Sequence, residues 1–145
     1  MSPSQPKNST VMTNTIQLIT DARRGIGRGL AEKFLAYSNT TVIAAVRDPA
    51  GASSESLHSL SRDESSRLIV TEHSIEHLDV VIANAGTAEH FSLVHGAAIP
   101  ALREHVEINE YVHISLYQAV YPLLKKSTKP TFVGVGSLLG GIGCS

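Results

Sequence analysis

The chain has 145 residues and a mass of 15.5 kDa, room for one modest domain. It is 42% hydrophobic and 17% charged with a formal net charge of −1, which excludes the basic surplus of a nucleic-acid-binding protein. No apolar run approaches the ~18 residues of a membrane span, and the single Cys144 excludes an internal disulfide framework and fits a reducing, cytosolic compartment.

Residues 1–15 are rich in Ser, Pro, Asn and Thr and lack the apolar core of a secretory signal, so a disordered leader is expected there. From residue 16 onward, short apolar runs alternate with helical patterns. Residues 16–20 predict a first strand. Over residues 26–37, Ile26, Leu30, Ala31, Phe34 and Leu35 recur at helical spacing. Residues 40–46 predict a second strand. Residues 48–64 are polar, punctuated by Pro49-Ala50-Gly51, with a short helix expected around 54–60. Residues 67–70 and 78–83 predict the third and fourth strands. Residues 101–126 read as one long helix whose main breaker is Pro122, and 131–135 as a fifth strand before a glycine-rich tail. Nearly continuous apolar strands separated by helices predict a doubly wound parallel sheet, an α/β fold of the Rossmann type with about five strands.

The segment Thr20-Asp21-Ala22-Arg23-Arg24-Gly25-Ile26-Gly27 joins the first strand to the first helix. In that context glycines admit a pyrophosphate to the backbone, and the helix N-terminus supplies N–H donors and the positive end of its dipole. The turn resembles that of the short-chain dehydrogenase/reductase family, which reads Thr-Gly-x-x-x-Gly-Ile-Gly. Three further blocks support the resemblance in the right order: Asn84-Ala85-Gly86 after the fourth strand, Asn109 in the long helix, and Val135-Gly136-Ser137 followed by Gly140. The resemblance spans residues 16–143 and implies a partial NAD(P)-binding domain over 16–145. Within the family, residues 19–30, 40–49 and 78–86 are similar to fungal norsolorinic acid ketoreductases. That similarity implies an NADPH-dependent reductase acting on a small-molecule ketone of polyketide secondary metabolism. It also implies that Thr20, Arg24, Gly25, Ile26, Gly27, Arg47, Asn84, Ala85 and Gly86 meet the cofactor. Ser137 would polarise the carbonyl, and Asn109 would support a water relay.

In the family, an acid at the end of the second strand accepts the ribose hydroxyls of NAD, whereas a base there pairs with the 2′-phosphate of NADP. Arg47 occupies that region and Arg24 precedes Gly25, which points to NADP(H). Asp48 is the competing partner, one residue later, and is expected to turn the chain into Pro49. The plainer alternative leaves both arginines as solvated surface charges.

Three departures stand out. Asp21 replaces the family's first glycine, so crowding of the turn is expected, with like-charge repulsion of ~1 kcal/mol or more against a pyrophosphate. Second, residues 71–77 alone separate the third strand from the fourth. In the strand order that the resemblance implies, 3-2-1-4-5, those strands lie ~14 Å apart, and the chain must also return ~17 Å along a strand. Seven extended residues reach ~25 Å, so no crossover helix fits and one sheet face is expected to lie uncovered. Thr71-Glu72 stands where the family places an acidic adenine contact. Third, the family's general acid, a tyrosine with a lysine four residues on, falls past Ser145. A phenol of pKa near ~10 needs that cation to exchange protons at neutral pH. A shortened chain, weak or inactive as written, is therefore expected.

Two patterns imitate chemistry. Tyr121-Pro122-Leu123-Leu124-Lys125 reads Tyr-x-x-x-Lys but precedes the serine strand, and is expected to pack at a helix end. His73-Ser74-Ile75-Glu76-His77 matches a zinc-protease pattern but sits where no helix fits, so no metal is expected. His58, His90, His95, His105 and His113 are expected at the surface or in packing. In the long helix Val106, Ile108, Val112, Leu116, Ala119 and Val120 form a broad apolar surface. The resemblance makes this a subunit interface and implies a homo-oligomer, while the plain alternative has it cover the sheet. Two functions therefore compete: an NADPH-dependent ketone reductase, and a non-catalytic nucleotide-binding or protein-interaction fragment.

Overall fold

A computed structural model describes residues 13–70, 74–88 and 92–137. In chain order they form β1 (Thr15–Thr20), α1 (Gly25–Leu35), β2 (Thr40–Ala45) and α2 (Ala52–Glu55), which runs into a 3-10 turn (Ser56–Ser59). Next come β3 (Arg67–Ile69), β4 (Val80–Ala83), a 3-10 turn (Val94–Gly96) and α3 (Ile99–Val106). A π turn (Glu107–Tyr111), α4 (Val112–Leu124) and β5 (Thr131–Gly134) complete the described elements.

The strands form one parallel sheet in the order β3-β2-β1-β4-β5, with Thr15 facing Thr40 at one end of the β1–β2 ladder and Thr20 facing Ala45 at the other. This is the doubly wound arrangement that the alternating runs predict. Chain direction across the sheet reverses between β1 and β4, which opens a crevice at the carboxyl ends of those strands.

Two apolar layers enclose the sheet. Ile19, Val42, Ala44 and Ile82 pack on one face with Ala31 and Leu35 of α1 and with Leu57 and Leu60. On the other face Ile43, Leu78 and Val81 pack with Val120 and Leu124 of α4. The expectation that one face lies bare is thereby corrected in part. α4 clads it, Ile75 from the short β3–β4 connection packs against the same cluster, and Ile43 is only 8% exposed. Ile16, Leu18 and Ile69 on that face are half-buried.

The predicted element ends shift by a few residues for local reasons. Thr15 already pairs in the sheet, and Asn14 donates to Thr41 Oγ1 at 3.0 Å, so the described structure starts ahead of the expected end of the leader. The long helix starts at Ile99 with Pro100 in its first turn, where a missing N–H costs nothing. At the opposite end of the sheet from the crevice, Asp79 ties three segments together. Its Oδ2 accepts from Ile16 N–H at 2.8 Å and its Oδ1 from Ser127 Oγ at 2.6 Å, with His77 Nε2 3.3 Å away.

Candidate functional site: a cleft at the carboxyl edge of the sheet

The turn after β1 carries Asp21 at φ +48° and Gly25 at φ +53°, both in the left-handed region. Asp tolerates that region better than most side chains, so the chain turns here without the glycine expected on the family's pattern. Gly27 is a different matter. A Cβ on Gly27 would lie 2.5 Å from the Asp21 carbonyl oxygen and 2.6 Å from Asn84 Nδ2. Only a hydrogen lets α1 approach the end of β1 this closely. The first turn of α1, with N–H groups unpaired within the helix, thus lies at the carboxyl end of β1.

The facing wall is the Asn84-Ala85-Gly86-Thr87 segment after β4, held from both sides. From β1, the Thr20 hydroxyl accepts from the backbone N–H of Asn84 and of Ala85, each at 2.9 Å, while Asn84 Nδ2 donates to the Thr20 carbonyl at 3.1 Å. From the π turn, Asn109 Oδ1 accepts from Thr87 N–H at 2.8 Å and its Nδ2 donates to the Thr87 carbonyl at 2.9 Å. One turn on, His113 Nε2 lies 2.9 Å from the Ala85 carbonyl. A carbonyl only accepts, so that contact assigns the proton to Nε2. Gly86 completes the packing, because a Cβ there would come within 3.2 Å of Asn109 Oδ1.

Between these walls lies a cleft of about 420 Å³, lined by Thr20, Asp21, Arg24, Ala45, Val46, Arg47, Ala85, Gly86, Thr87, Glu104, Ile108 and Val112. Arg24, after β1, and Arg47, after the neighbouring β2, both line it. Among the described residues no carboxylate lies within ion-pair distance of Arg47. Asp48 turns away from this role, its Oδ1 accepting from Ala50 N–H at 3.2 Å at the start of the next turn. Asp21 also lines the cleft, and its carboxylate Oδ1 is 3.4 Å from Arg23 Nε and its Oδ2 3.9 Å from Arg24 Nε. The donor set suits a dinucleotide: a glycine-opened helix N-terminus for a pyrophosphate, two guanidinium groups for a further phosphate, and the apolar Ile108 and Val112 for a base.

Of the residues that the sequence singles out, Thr20, Arg24, Arg47, Ala85 and Gly86 line the cleft directly. Gly27 and Asn84 shape its walls from behind, Gly25 is exposed where the chain turns into α1 at φ +53°, and Ile26 is exposed on α1. Asn109 acts on the wall through its side chain. Ser137 is exposed at the same edge of the sheet, just past β5, where Val135 N–H still bonds the Ala83 carbonyl at 3.0 Å. His113, Thr87, Glu104, Ile108 and Val112 join the site without having been singled out for it. For His113 the signal was its spacing, four residues after Asn109 and hence on the same helix face. His113 packs half-buried against the wall through the Ala85 carbonyl.

The two imitative patterns fall elsewhere. Lys125 Nζ sits 5.6 Å over the Tyr121 ring at the end of α4 where Leu123 O accepts from Leu78 N–H, ahead of β4 and away from the cleft. His77 pairs with Asp79, while His73, like Thr71, Glu72, His90, Gly140 and Cys144, lies outside the described residues.

Residues 15–145 match the family model described as short chain dehydrogenase. A norsolorinic acid ketoreductase of Dothistroma septosporum is 37% identical, over 88% of this chain and 55% of its own length. Its counterpart in Emericella nidulans is 34% identical, over 96% of this chain and 60% of its own length. Among solved structures, an NADPH-bound carbonyl reductase from chicken fatty liver superposes with a TM-score of 0.75 at 27% identity, covering 90% of this chain and 60% of that one. The chain thus spans between 55% and 60% of the length of these relatives.

Proposed function

The chain belongs to the short chain dehydrogenase family, and from that premise we propose that it carries the cofactor-binding part of an NADPH-dependent reductase of small-molecule ketones. The observation that carries this reading is the convergence of Arg24 and Arg47 on one cleft at the crevice between β1 and β4. Two guanidinium groups there suit a ribose 2′-phosphate, whereas NAD calls for a carboxylate accepting from the 2′-hydroxyl. The kinship with norsolorinic acid ketoreductases supports an aromatic polyketide ketone as the substrate class.

Bound in the cleft, NADPH supplies hydride. The work of the chain's own residues is positional. Thr20, Asn109 and His113 fix the backbone of residues 84–87 so that Gly86 presents a side-chain-free wall. Ser137, at the same edge, is the residue placed to polarise a carbonyl oxygen. Proton delivery is assigned to none of the described residues, since Tyr121 and Lys125 stand away from the cleft. Self-association through α3 and α4, and a cytosolic location in keeping with the lone Cys144, belong to the same proposal.

A second reading, nucleotide binding without turnover, is favoured by the place of Tyr121 and Lys125, at the end of α4 and away from the cleft. Titrating the protein with NADPH and NADH while following nicotinamide fluorescence tests the first reading, with tighter binding of NADPH expected. No binding, or equal binding of NADH, overturns it. Tight NADPH binding with no loss of the nicotinamide absorbance on adding an aryl ketone selects the second.

A further inference from the structure

Asp21 is an anomaly that the proposed function does not use. It lies in the turn between β1 and α1, on the wall of a cleft proposed to hold several phosphate charges, and its backbone sits at φ +48°. Its carboxylate does not point idly into solvent. One oxygen is 3.4 Å from Arg23 Nε and the other is 3.9 Å from Arg24 Nε, so a single carboxylate spans two guanidinium groups. Arg23 does not line the cleft, but Arg24 does, and its side chain is 66% exposed there. The pair on the cleft side is therefore loose and solvated, open to competition from a better anion.

We propose that Asp21 is a specificity-determining residue, an internal counter-ion that holds Arg24 and so lowers the affinity of the cleft for a ligand carrying a ribose 2′-phosphate. This rests on the NADPH reading of the cleft. A 2′-phosphate recruits Arg24 only by drawing it from Asp21, and once bound it stands close to the carboxylate it displaced. Both effects scale with the charge on the phosphate that meets Arg24. A ligand with the same adenosine but a 2′-hydroxyl draws on Arg24 far less. Asp21 thus narrows the preference for phosphorylated over unphosphorylated adenosine ribose.

The substitution that isolates this effect is Asp21→Asn, because asparagine is the other side chain at ease in the left-handed region and the backbone is left as it is. Adenosine 2′,5′-bisphosphate and adenosine 5′-monophosphate are the probes, titrated by calorimetry against the native chain and the variant. Asp21→Asn is expected to bind the bisphosphate about tenfold more tightly, an effect of ~1.4 kcal/mol, and the monophosphate with a clearly smaller gain. The gain on the bisphosphate should shrink as salt is raised toward ~1 M, where screening acts within ~3 Å. It should also disappear when Arg24→Ala is combined with Asp21→Asn.

An equal gain for both probes overturns the proposal, since Asp21 would then repel any phosphate without acting through Arg24. A gain with Asp21→Gly that Asp21→Asn does not share also overturns it, assigning the effect to backbone relief. Unchanged bisphosphate binding in Asp21→Asn overturns this inference while leaving the NADPH reading intact. Failure of both forms to bind either probe overturns the two together.

Discussion

Asn109 grips Thr87 by both of its backbone polar atoms, accepting from the N–H at 2.8 Å and donating to the carbonyl at 2.9 Å. The carboxamide stands in for a neighbouring peptide and gives an isolated loop the pairing that a strand partner would supply. To aim the side chain this way the helix loosens into the π turn over Glu107–Tyr111, with regular α-helix on both sides. Such turns recur at functional sites because they redirect one residue without ending the helix. Asn109→Ala leaves two half-buried backbone groups unpaired and is expected to cost about 1–3 kcal/mol of stability. Its effect on NADPH affinity should exceed that of an equally destabilising change away from the cleft. Urea melts paired with nucleotide titration measure both.

The same wall depends on the Thr20 hydroxyl, which accepts from Asn84 N–H and Ala85 N–H at 2.9 Å each. Thr20→Val keeps the shape of the side chain but strands two N–H donors, and should destabilise by about 1–3 kcal/mol. Thr20→Ser restores the acceptor and should recover most of that loss. Equal melting points for Val and native at this position would remove the hydroxyl from the account.

Arg47 follows β2 at the mouth of the cleft, with no carboxylate in ion-pair range among the described residues. If it meets the 2′-phosphate, Arg47→Ala should weaken NADPH by about tenfold, the loss of one charge-assisted contact of ~1.5 kcal/mol. NADH affinity should stay within error. A parallel loss for both cofactors would place Arg47 on the pyrophosphate instead.

The loop before β3 offers a pH test. Asp63 accepts from the Ser65 hydroxyl and from Ser65 N–H, and these bonds hold its carboxyl below the ordinary aspartate value. A carboxylate favoured by folding adds stability that is in place above the unfolded-state value of ~3.9 and fades as pH falls through the lower folded value. Carbon NMR titration should find the Asp63 midpoint below the ordinary aspartate value in the native chain, and shifted up in Ser65→Ala.

What could be read in the sequence depended on how local each cause was. β1, β2 and β4 announce themselves by apolar runs, whereas alternation and connection handedness leave more than one doubly wound order open, and the order β3-β2-β1-β4-β5 comes from the family resemblance. The glycines of the turn were legible because their demand is steric and local: Gly27 has backbone within 2.5 Å of where a Cβ would be. The far wall of the cleft was not. Glu104, Ile108 and Val112 reach it from a helix whose apolar period reads straight through the π turn, since the distortion answers to a contact with Thr87 that no local pattern encodes. The Asp21 ion pairs were hidden too. Charge repulsion could be foreseen from the place of Asp21 in the turn, but its contacts with Arg23 and Arg24, made from a left-handed backbone, could not.

α4 turns Leu116, Val120 and Leu124, spaced four apart, toward the sheet, and leaves Ile114 55% exposed on another side. Ile99 and Leu102 of α3 are exposed as well. Apolar surface of this extent on neighbouring helices is costly in water, and a second copy of the chain would cover it. Tyr117 is a poor place to test that idea, because its ring packs edge-on against Phe132 of β5 at 5.1 Å and substitution would disturb the sheet. Ile114→Lys changes the exposed surface alone. If copies associate through α4, sedimentation velocity should show a native species heavier than a monomer that becomes monomeric in the variant, with the melting transition of the monomer unchanged. A native chain that sediments as a monomer at high concentration rules this interface out, and leaves the exposed face of α4 for some other partner or segment to cover.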